Sequence, residues 1–437
     1  MSSSFPQQVA PDIADLASHP DVYRKVMWRI VPLFCFCYVA AYLDRINVGL
    51  AKLQMLDALG FSETVYGLGA GLFFFGYILL EVPSNLLLQR VGARLWIARI
   101  MITWGLLSAA TAFVTTPTQF YVVRFLLGAA EAGFVPGVLL YLTYWFPTYR
   151  RGKVTALFML GIPLASMTGG PLSGWIMTAF AGYKGWDGWQ WMFALEAVPS
   201  VVLGVVVLCC LPGSIQKASW LTSAEKQQLI RNLEADTLAE SRHSLRAVFA
   251  DHRVWMLGLI DMCLLMGTYS ISFWLPTIIR DSGVQSPLDI GLLTAIPNAA
   301  AVAAMLINGA HSDRQRERRW HIVVPVLIGA VGMVASTWFS HDTVLTVALM
   351  TVASAGISAG FPVFWCLPAT FLQGRAAAAG IALACSVANL GGFAATFLLG
   401  WLKDLTHSPN AGLVLFGAFQ LVACAIALSM PARVVNR

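Results

Sequence analysis

The chain has 437 residues, 58% of them hydrophobic and 11% charged, with a formal net charge of +6. A soluble domain carries roughly 25% charged residues, and no soluble core needs apolar windows of about 20 residues repeated along most of its length. The balance excludes an ordinary globular enzyme and a nucleic-acid-binding chain, and it indicates an all-α integral membrane protein.

The first stretch, Met1 to His19, is polar and lacks an apolar core, so no cleaved signal peptide is expected. Twelve transmembrane helices are expected, over 28–50, 63–86, 95–114, 119–143, 154–177, 190–211, 254–276, 288–309, 321–340, 345–368, 376–401 and 411–430. They divide into a cytoplasmic tail at 1–27, a six-helix bundle at 28–211, a cytoplasmic linker at 212–253, a second six-helix bundle at 254–430 and a cytoplasmic tail at 431–437. In the linker, Trp220-Leu221-Thr222-Ser223-Ala224-Glu225-Lys226 predicts a short amphipathic helix capped at Thr222 or Ser223. The eight cysteines all lie in apolar segments, without metal or redox spacing, and read as small packing residues. No metal and no cofactor is expected.

Orientation follows from the basic residues. With the N-terminus placed inside, the outer loops hold only Lys52, Lys184, Arg280 and Lys403, against a large majority of Lys and Arg in the inner segments. This asymmetry puts both termini in the cytoplasm of a multi-pass protein of the cell's inner (plasma) membrane.

The two halves repeat. The loop after span 2 reads Gln89-Arg90-Val91-Gly92-Ala93-Arg94-Leu95-Trp96, and the loop after span 8 reads Asp313-Arg314-Gln315-Arg316-Glu317-Arg318-Arg319-Trp320. Gln89/Asp313, Arg90/Arg314, Arg94/Arg318 and Trp96/Trp320 share one offset of 224 residues. Duplicated bundles of this kind place a substrate site at the midplane between them.

Two charged pairs stand inside apolar helices, where each charge costs roughly 2.5–3.5 kcal/mol on insertion scales. Asp44 and Arg45 lie in Tyr42-Leu43-Asp44-Arg45-Ile46-Asn47 of span 1, and Arg124 and Glu131 lie in span 4. Counting from the helix ends puts Asp44 about 9 Å and Arg124 about 8 Å below the outer face, at matching depth. Glu131 follows Arg124 by two turns on the same face, about 10 Å deeper. A planar guanidinium that keeps its charge suits an organic carboxylate, and a buried carboxyl suits a proton. No histidine lies mid-span, which leaves the carboxylates as proton carriers.

The duplicated loops resemble the signature of the major facilitator superfamily, a Gly-x-x-x-Asp-Arg-x-Gly-Arg/Lys-Arg/Lys pattern that clips neighbouring helices. The second copy keeps Gly309, Asp313 and Arg314; the first departs, with Asn85 and Gln89. The span 1 stretch, Gly76-Tyr77-Ile78-Leu79-Leu80-Glu81-Val82-Pro83-Ser84-Asn85, Arg124 to Gly133 and Phe273-Trp274-Leu275-Pro276 resemble the anion:cation symporter branch, most of all bacterial tartrate-transporter-like permeases.

The resemblance implies twelve helices in two pseudo-symmetric six-helix bundles, and a transporter rather than an enzyme; it also brings spans 1 and 4 together, so an Asp44–Arg124 pair is expected. The expected activity is proton-coupled uptake of a small organic carboxylate, tartrate-like dicarboxylates first. An aromatic-carboxylate permease, or an exchanger or efflux antiporter of the same fold, is the alternative. Asp44 and Glu131 are the proton-coupling candidates, Arg45 and Arg124 the anion-binding ones. Tyr42, Tyr77 and Asn389 are candidates for shaping the pocket. Trp365 either closes the pocket or anchors at the interface. Gln89, Arg90, Arg94, Asp313 and Arg314 are expected to gate. Asp261 is a further intramembrane acid, ranked below Glu131. The expected partners are the anion, protons and the lipid bilayer, with the protein a monomer.

Overall fold

The computed structural model describes residues 20–237, 251–368 and 374–431. Most of the two expected tails and part of the linker lie outside the described residues. Among the described residues twelve helices are long and apolar enough to cross a membrane: Val22–Leu59, Glu63–Val91, Ala93–Phe113, Pro117–Thr143, Arg150–Ala179 and Gly188–Cys210, then His252–Asp281, Pro287–Gln315, Arg319–Phe339, Thr343–Phe364, Leu383–Thr406 and Asn410–Ser429. They are spans 1 to 12 below. Alternation puts the interdomain linker and the loops after spans 2, 4, 8 and 10 on one face, the linker face. The remaining loops lie on the far face.

Local chemistry sets the ends. Ser62 caps span 2 by accepting from the Val65 N–H. Thr116 caps span 4 with Pro117 at its first position, where the missing N–H costs nothing. Span 1 corrects the expected limits of 28–50. Its helix starts at Pro20 and, after one irregular residue at Asn47, runs on to Leu59. The apolar residues Leu50, Ala51, Leu53, Met55 and Leu56 continue its buried face, and Gly60 stops it in the left-handed region (φ 66°). Lys52 is therefore inside a span, not in a loop, and is 0% exposed.

Two spans break at charged residues. Span 1 turns at Asn47, just after Arg45. Span 4 is helical over Pro117–Glu131, interrupted at Ala132 and Gly133, and helical again from Phe134. Gly133 has φ 88°, and a methyl there would overlap the Ser84 hydroxyl, so glycine is required twice over. Irregular backbone at membrane depth is tolerated where it is packed in protein or lines a cavity.

The repeat read from the loops reaches the centre of the molecule. Arg45 of span 1 meets Tyr269 of span 7, and Gly49 meets Phe273, each pair separated by 224 residues. A residue touching its own repeat mate lies on the pseudo-two-fold axis. The same symmetry recurs at the far face. A methyl on Gly67 of span 2 would overlap the Thr396 carbonyl of span 11, and one on Gly291, the repeat mate of Gly67, would overlap the Gly170 carbonyl of span 5. Spans 2 and 11 and spans 5 and 8 thus cross backbone to backbone, and the far face is shut.

The linker helix, Ser223–Thr237, docks on the N-terminal half. Thr222 caps it, accepting from the Glu225 N–H while Glu225 accepts from the Thr222 N–H. Trp220 stacks on Trp145, the Arg29 guanidinium covers Trp220, and Lys25 pairs with Glu225 at 3.0 Å.

Candidate substrate and proton site

The centre of the molecule is a pair of arginines around one ring. The guanidinium carbons of Arg45 and Arg124 each lie 5.2 Å from the Phe73 centroid. Arg45 forms an ion pair and hydrogen bond with Glu131, donates to the Tyr269 hydroxyl at 3.4 Å, and sits 5.9 and 5.6 Å from the rings of Tyr42 and Tyr77. Its place in the last turn of a half-helix suits a cation. Arg124 is 0% exposed, and all three of its guanidinium nitrogens lack a hydrogen-bond partner. A buried guanidinium without an acceptor is costly unless a ligand supplies one.

The expected Asp44–Arg124 pair does not form. Successive residues on a helix point about 100° apart, so Asp44 and Arg45 cannot both face the centre. Arg45 does. Asp44 turns between spans 3 and 6, where its carboxylate accepts from Trp104 Nε1 at 3.0 Å, Ser108 at 2.7 Å and Ser200 at 2.6 Å. The acid that meets an arginine is Glu131, and the arginine is Arg45.

One turn along, Asn47 donates to Glu196 of span 6 at 3.0 Å and Ser173 of span 5 donates to the same carboxyl at 2.6 Å. Asn47 and Ser173 also line a cavity between the halves, with Ser166, Ser272, Thr294 and Asn298. The sequence reading missed Glu196 because it sits among apolar neighbours with no second charge beside it. The available signal was an acid nine residues into an otherwise apolar span.

The remaining expectations divide. Tyr42 and Tyr77 are buried beside Arg45. Asn389 is half-buried on span 11, and among the described residues no hydrogen bond joins it to Arg45, Arg124 or Glu131. Trp365 follows the last residue of span 10 and is 38% exposed. An indole at the end of a span suits the interfacial anchoring that is one of its two expected roles, since such a ring sits well at the membrane–water boundary. Of the gating candidates, Arg94 donates to the Leu208 carbonyl at 2.7 Å and so ties span 3 to the end of span 6. Asp313 accepts from Arg318 at 2.6 Å. Gln89, Arg90 and Arg314 are exposed.

The far face carries an ion network that loop counting concealed. Lys52 Nζ lies 2.5 Å from Glu63, an ion contact without an aligned hydrogen bond, and 3.4 Å from the Trp274 centroid. Glu63 also meets Lys403 at 3.1 Å, and Lys403 meets Asp281 at 2.8 Å. Asp404 accepts from the Glu63 and Thr64 N–H groups, and Arg280 donates to the Leu53 carbonyl. Spans 1 and 2 are thereby bound to spans 7 and 11.

The model of the Major Facilitator Superfamily matches residues 34–396. The chain belongs to that superfamily. It is 59% identical to NicT, a candidate metabolite transport protein of Pseudomonas putida, over 95% of this chain and 96% of the relative. It is 47% identical to a candidate tartrate transporter of Agrobacterium vitis, over 93% of this chain and 94% of the relative. A crystal structure of a bacterial homolog to the human lysosomal transporter Spinster, inward-facing and occupied, superposes with a TM-score of 0.75 at 14% identity, covering 93% of this chain and 96% of that one. That likeness shows the fold alone. A major facilitator moves small solutes across a membrane and is not an enzyme.

Proposed function

We propose that the protein is a proton-coupled symporter that takes up a small organic carboxylate by alternating access. The observation that carries this reading is Arg124, fully buried with no acceptor for its guanidinium. A carboxylate is the ligand that such a planar fork binds best. The proton enters through Glu131. While ionised, Glu131 holds Arg45; once protonated, it releases that guanidinium. Binding of the anion then depends on the proton, because only the protonated site offers two free cations. Arg45 and Arg124 each lie 5.2 Å from the centroid of the same Phe73 ring, so the protonated site presents two cations to one dicarboxylate. A tartrate-like dicarboxylate is accordingly the favoured substrate, and the resemblance to a candidate tartrate transporter supports it. Asp44, held by three donors, acts on the outer gate through the polar contacts of spans 3 and 6.

The linker face is cytoplasmic by the distribution of Lys and Arg. With its far face shut, the protein is then in an inward-facing state of the inner membrane, acting as a monomer, with 28–211 and 254–430 as the moving halves. Asn389 and the loop residues Gln89, Arg90, Arg94, Asp313 and Arg314 act in other states of the cycle. The rings of Phe73, Phe74, Tyr77 and Tyr269 favour a second substrate class, a planar aromatic carboxylate.

The test is uptake into proteoliposomes under an imposed pH gradient, with tartrate and benzoate as probes. Accumulation is expected to follow an inward proton gradient. Glu131→Gln is expected to abolish accumulation while keeping counterflow. Uptake indifferent to the gradient would overturn symport in favour of exchange.

A further inference from the structure

We propose that Asp261 of span 7 is a second proton-binding carboxyl, placed on the C-terminal half between the central arginines and the linker face. The inference rests on the proton-coupled reading above. Four acids are buried among the described residues: Asp44, Glu131, Glu196 and Asp261. Three have donors that account for them. Asp44 has Trp104, Ser108 and Ser200; Glu131 has Arg45; Glu196 has Ser173 and Asn47. Asp261 is 2% exposed, and its Oδ1 has no hydrogen-bond partner. No ion pair reaches it among the described residues. An ionised carboxyl left so is unfavourable by several kcal/mol, and an intramembrane acid without a partner is a functional candidate by default.

Its position suits the transport path. Asp261 lies eight residues from Tyr269, about 12 Å along the helix toward the linker face, and Tyr269 touches Arg45. Across from it, Cys385 of span 11 is within electrostatic reach of both Asp261 and Glu81 of span 2. Cys385 and, beyond it, Glu81 are the titratable groups facing Asp261 from the packed elements. Cys263 is two residues along its own helix, where its carbonyl accepts from Gln420 of span 12. Spans 7 and 11 are close here, with a methyl on Gly258 coming 3.2 Å from Val387.

The repeat argues against a merely structural acid. The residue 224 positions before Asp261 is Cys37, which is 0% exposed. The fold thus accepts a small apolar side chain at the symmetric position. In the proposed step, the Asp261 carboxylate takes a proton from the path and forms a neutral carboxyl. It returns that proton to water at the linker face, so charge and atoms balance over the cycle.

The test uses the full-length protein. N,N′-dicyclohexylcarbodiimide adds to a protonated carboxyl in apolar surroundings and leaves a stable adduct that peptide mapping locates. Asp261 is expected to be modified, with labelling falling as pH rises from about 5 to about 9. No adduct at Asp261 at any pH overturns the proposal, and so does labelling that ignores pH, which would mean a permanently neutral packing acid. In proteoliposomes, reversal-potential measurements on Asp261→Asn are expected to show about one proton fewer per anion than wild type; an unchanged ratio overturns the proposal. If wild-type transport proves uncoupled from protons while Asp261 labelling still titrates, the symport reading fails and the proton site stands.

Discussion

Arg124→Gln is expected to stabilise the ligand-free protein while removing its function. The guanidinium has three orphan nitrogens in a site that is 0% exposed. Leaving a buried donor unpaired costs about 1–3 kcal/mol, and more when it is charged. Against this stands a cation–π contact to Phe73 at 5.2 Å, which returns up to about 2 kcal/mol when desolvated. The balance leaves roughly 2 kcal/mol of strain that a neutral amide relieves, corresponding to a rise in Tm of about 2–4 °C for a chain of this size. Binding moves the other way. Truncating one partner of a buried charged pair costs about 2–5 kcal/mol, or roughly 30-fold in affinity at the least. A thermal-shift series in detergent reads both effects. The variant should melt higher than wild type without anion and gain nothing when tartrate is added. Arg124→Lys should lose most uptake as well, since an ammonium lacks the planar fork. A variant that melts lower than wild type and still shifts with anion would refute the reasoning, because Arg124 would then be a packing residue.

Glu63→Gln should open the far face. Lys52 would remain buried against Trp274 without its counter-ion, at a cost of about 3–5 kcal/mol in the shut state; distance measurements between labels on the loops after spans 1 and 7 should lengthen, and an unchanged distribution would count against the ion network as a latch. Asp44→Ala should destabilise the protein by about 3 kcal/mol, roughly one for each orphaned donor on Trp104, Ser108 and Ser200, and Trp104→Phe by about one, both checked by thermal unfolding. Gly291→Val should prevent spans 5 and 8 from meeting, and crosslinking of cysteines placed across that crossing should fall in proportion. In the linker, hydrogen bonding from the Thr222 N–H, aided by Lys25 and resisted by slight burial, holds the Glu225 carboxyl below its usual 4.5. A lowered acid stabilises the fold above its unfolded value and loses that contribution as pH falls through the folded value. Hydrogen-exchange protection in Ser223–Thr237, corrected for the intrinsic rate at each pH, should therefore fall below about pH 4 and stay constant from about pH 5 upward.

The fold was legible because its signals are long. Twelve apolar windows and a repeat at a single offset of 224 residues need no side-chain geometry, and that offset led to contacts such as Arg45 with Tyr269. The site was half legible. Charges in apolar helices named Asp44, Arg45, Arg124 and Glu131, since any charge there needs a reason. Their pairing was not legible. Depth along a helix is linear in residue number, but facing depends on rotation about the axis, and adjacent residues differ by about 100°. Matching depths suggested Asp44 with Arg124, whereas rotation gave Arg45 with Glu131. Lys52 was misplaced because span 1 continues past a turn at Asn47 whose flanks are apolar on both sides. Glu196 was passed over because a lone acid offers no pattern.

The contact between Arg45 and Tyr269 has a mechanical meaning. The two-fold that relates the halves runs along the membrane normal, and halves that rock against each other about a line crossing it at mid-membrane behave as a lever whose fulcrum turns but hardly travels. In the proposed cycle the Arg45–Glu131 pair therefore occupies the stillest place in the machine. Closure at the far face and release at the linker face can exchange by movements of many ångströms at the helix ends without tearing Arg45 from its neighbours. The cargo need not be carried anywhere. In that proposed cycle water is let in from one side and then the other, while the proposed switch stays at rest.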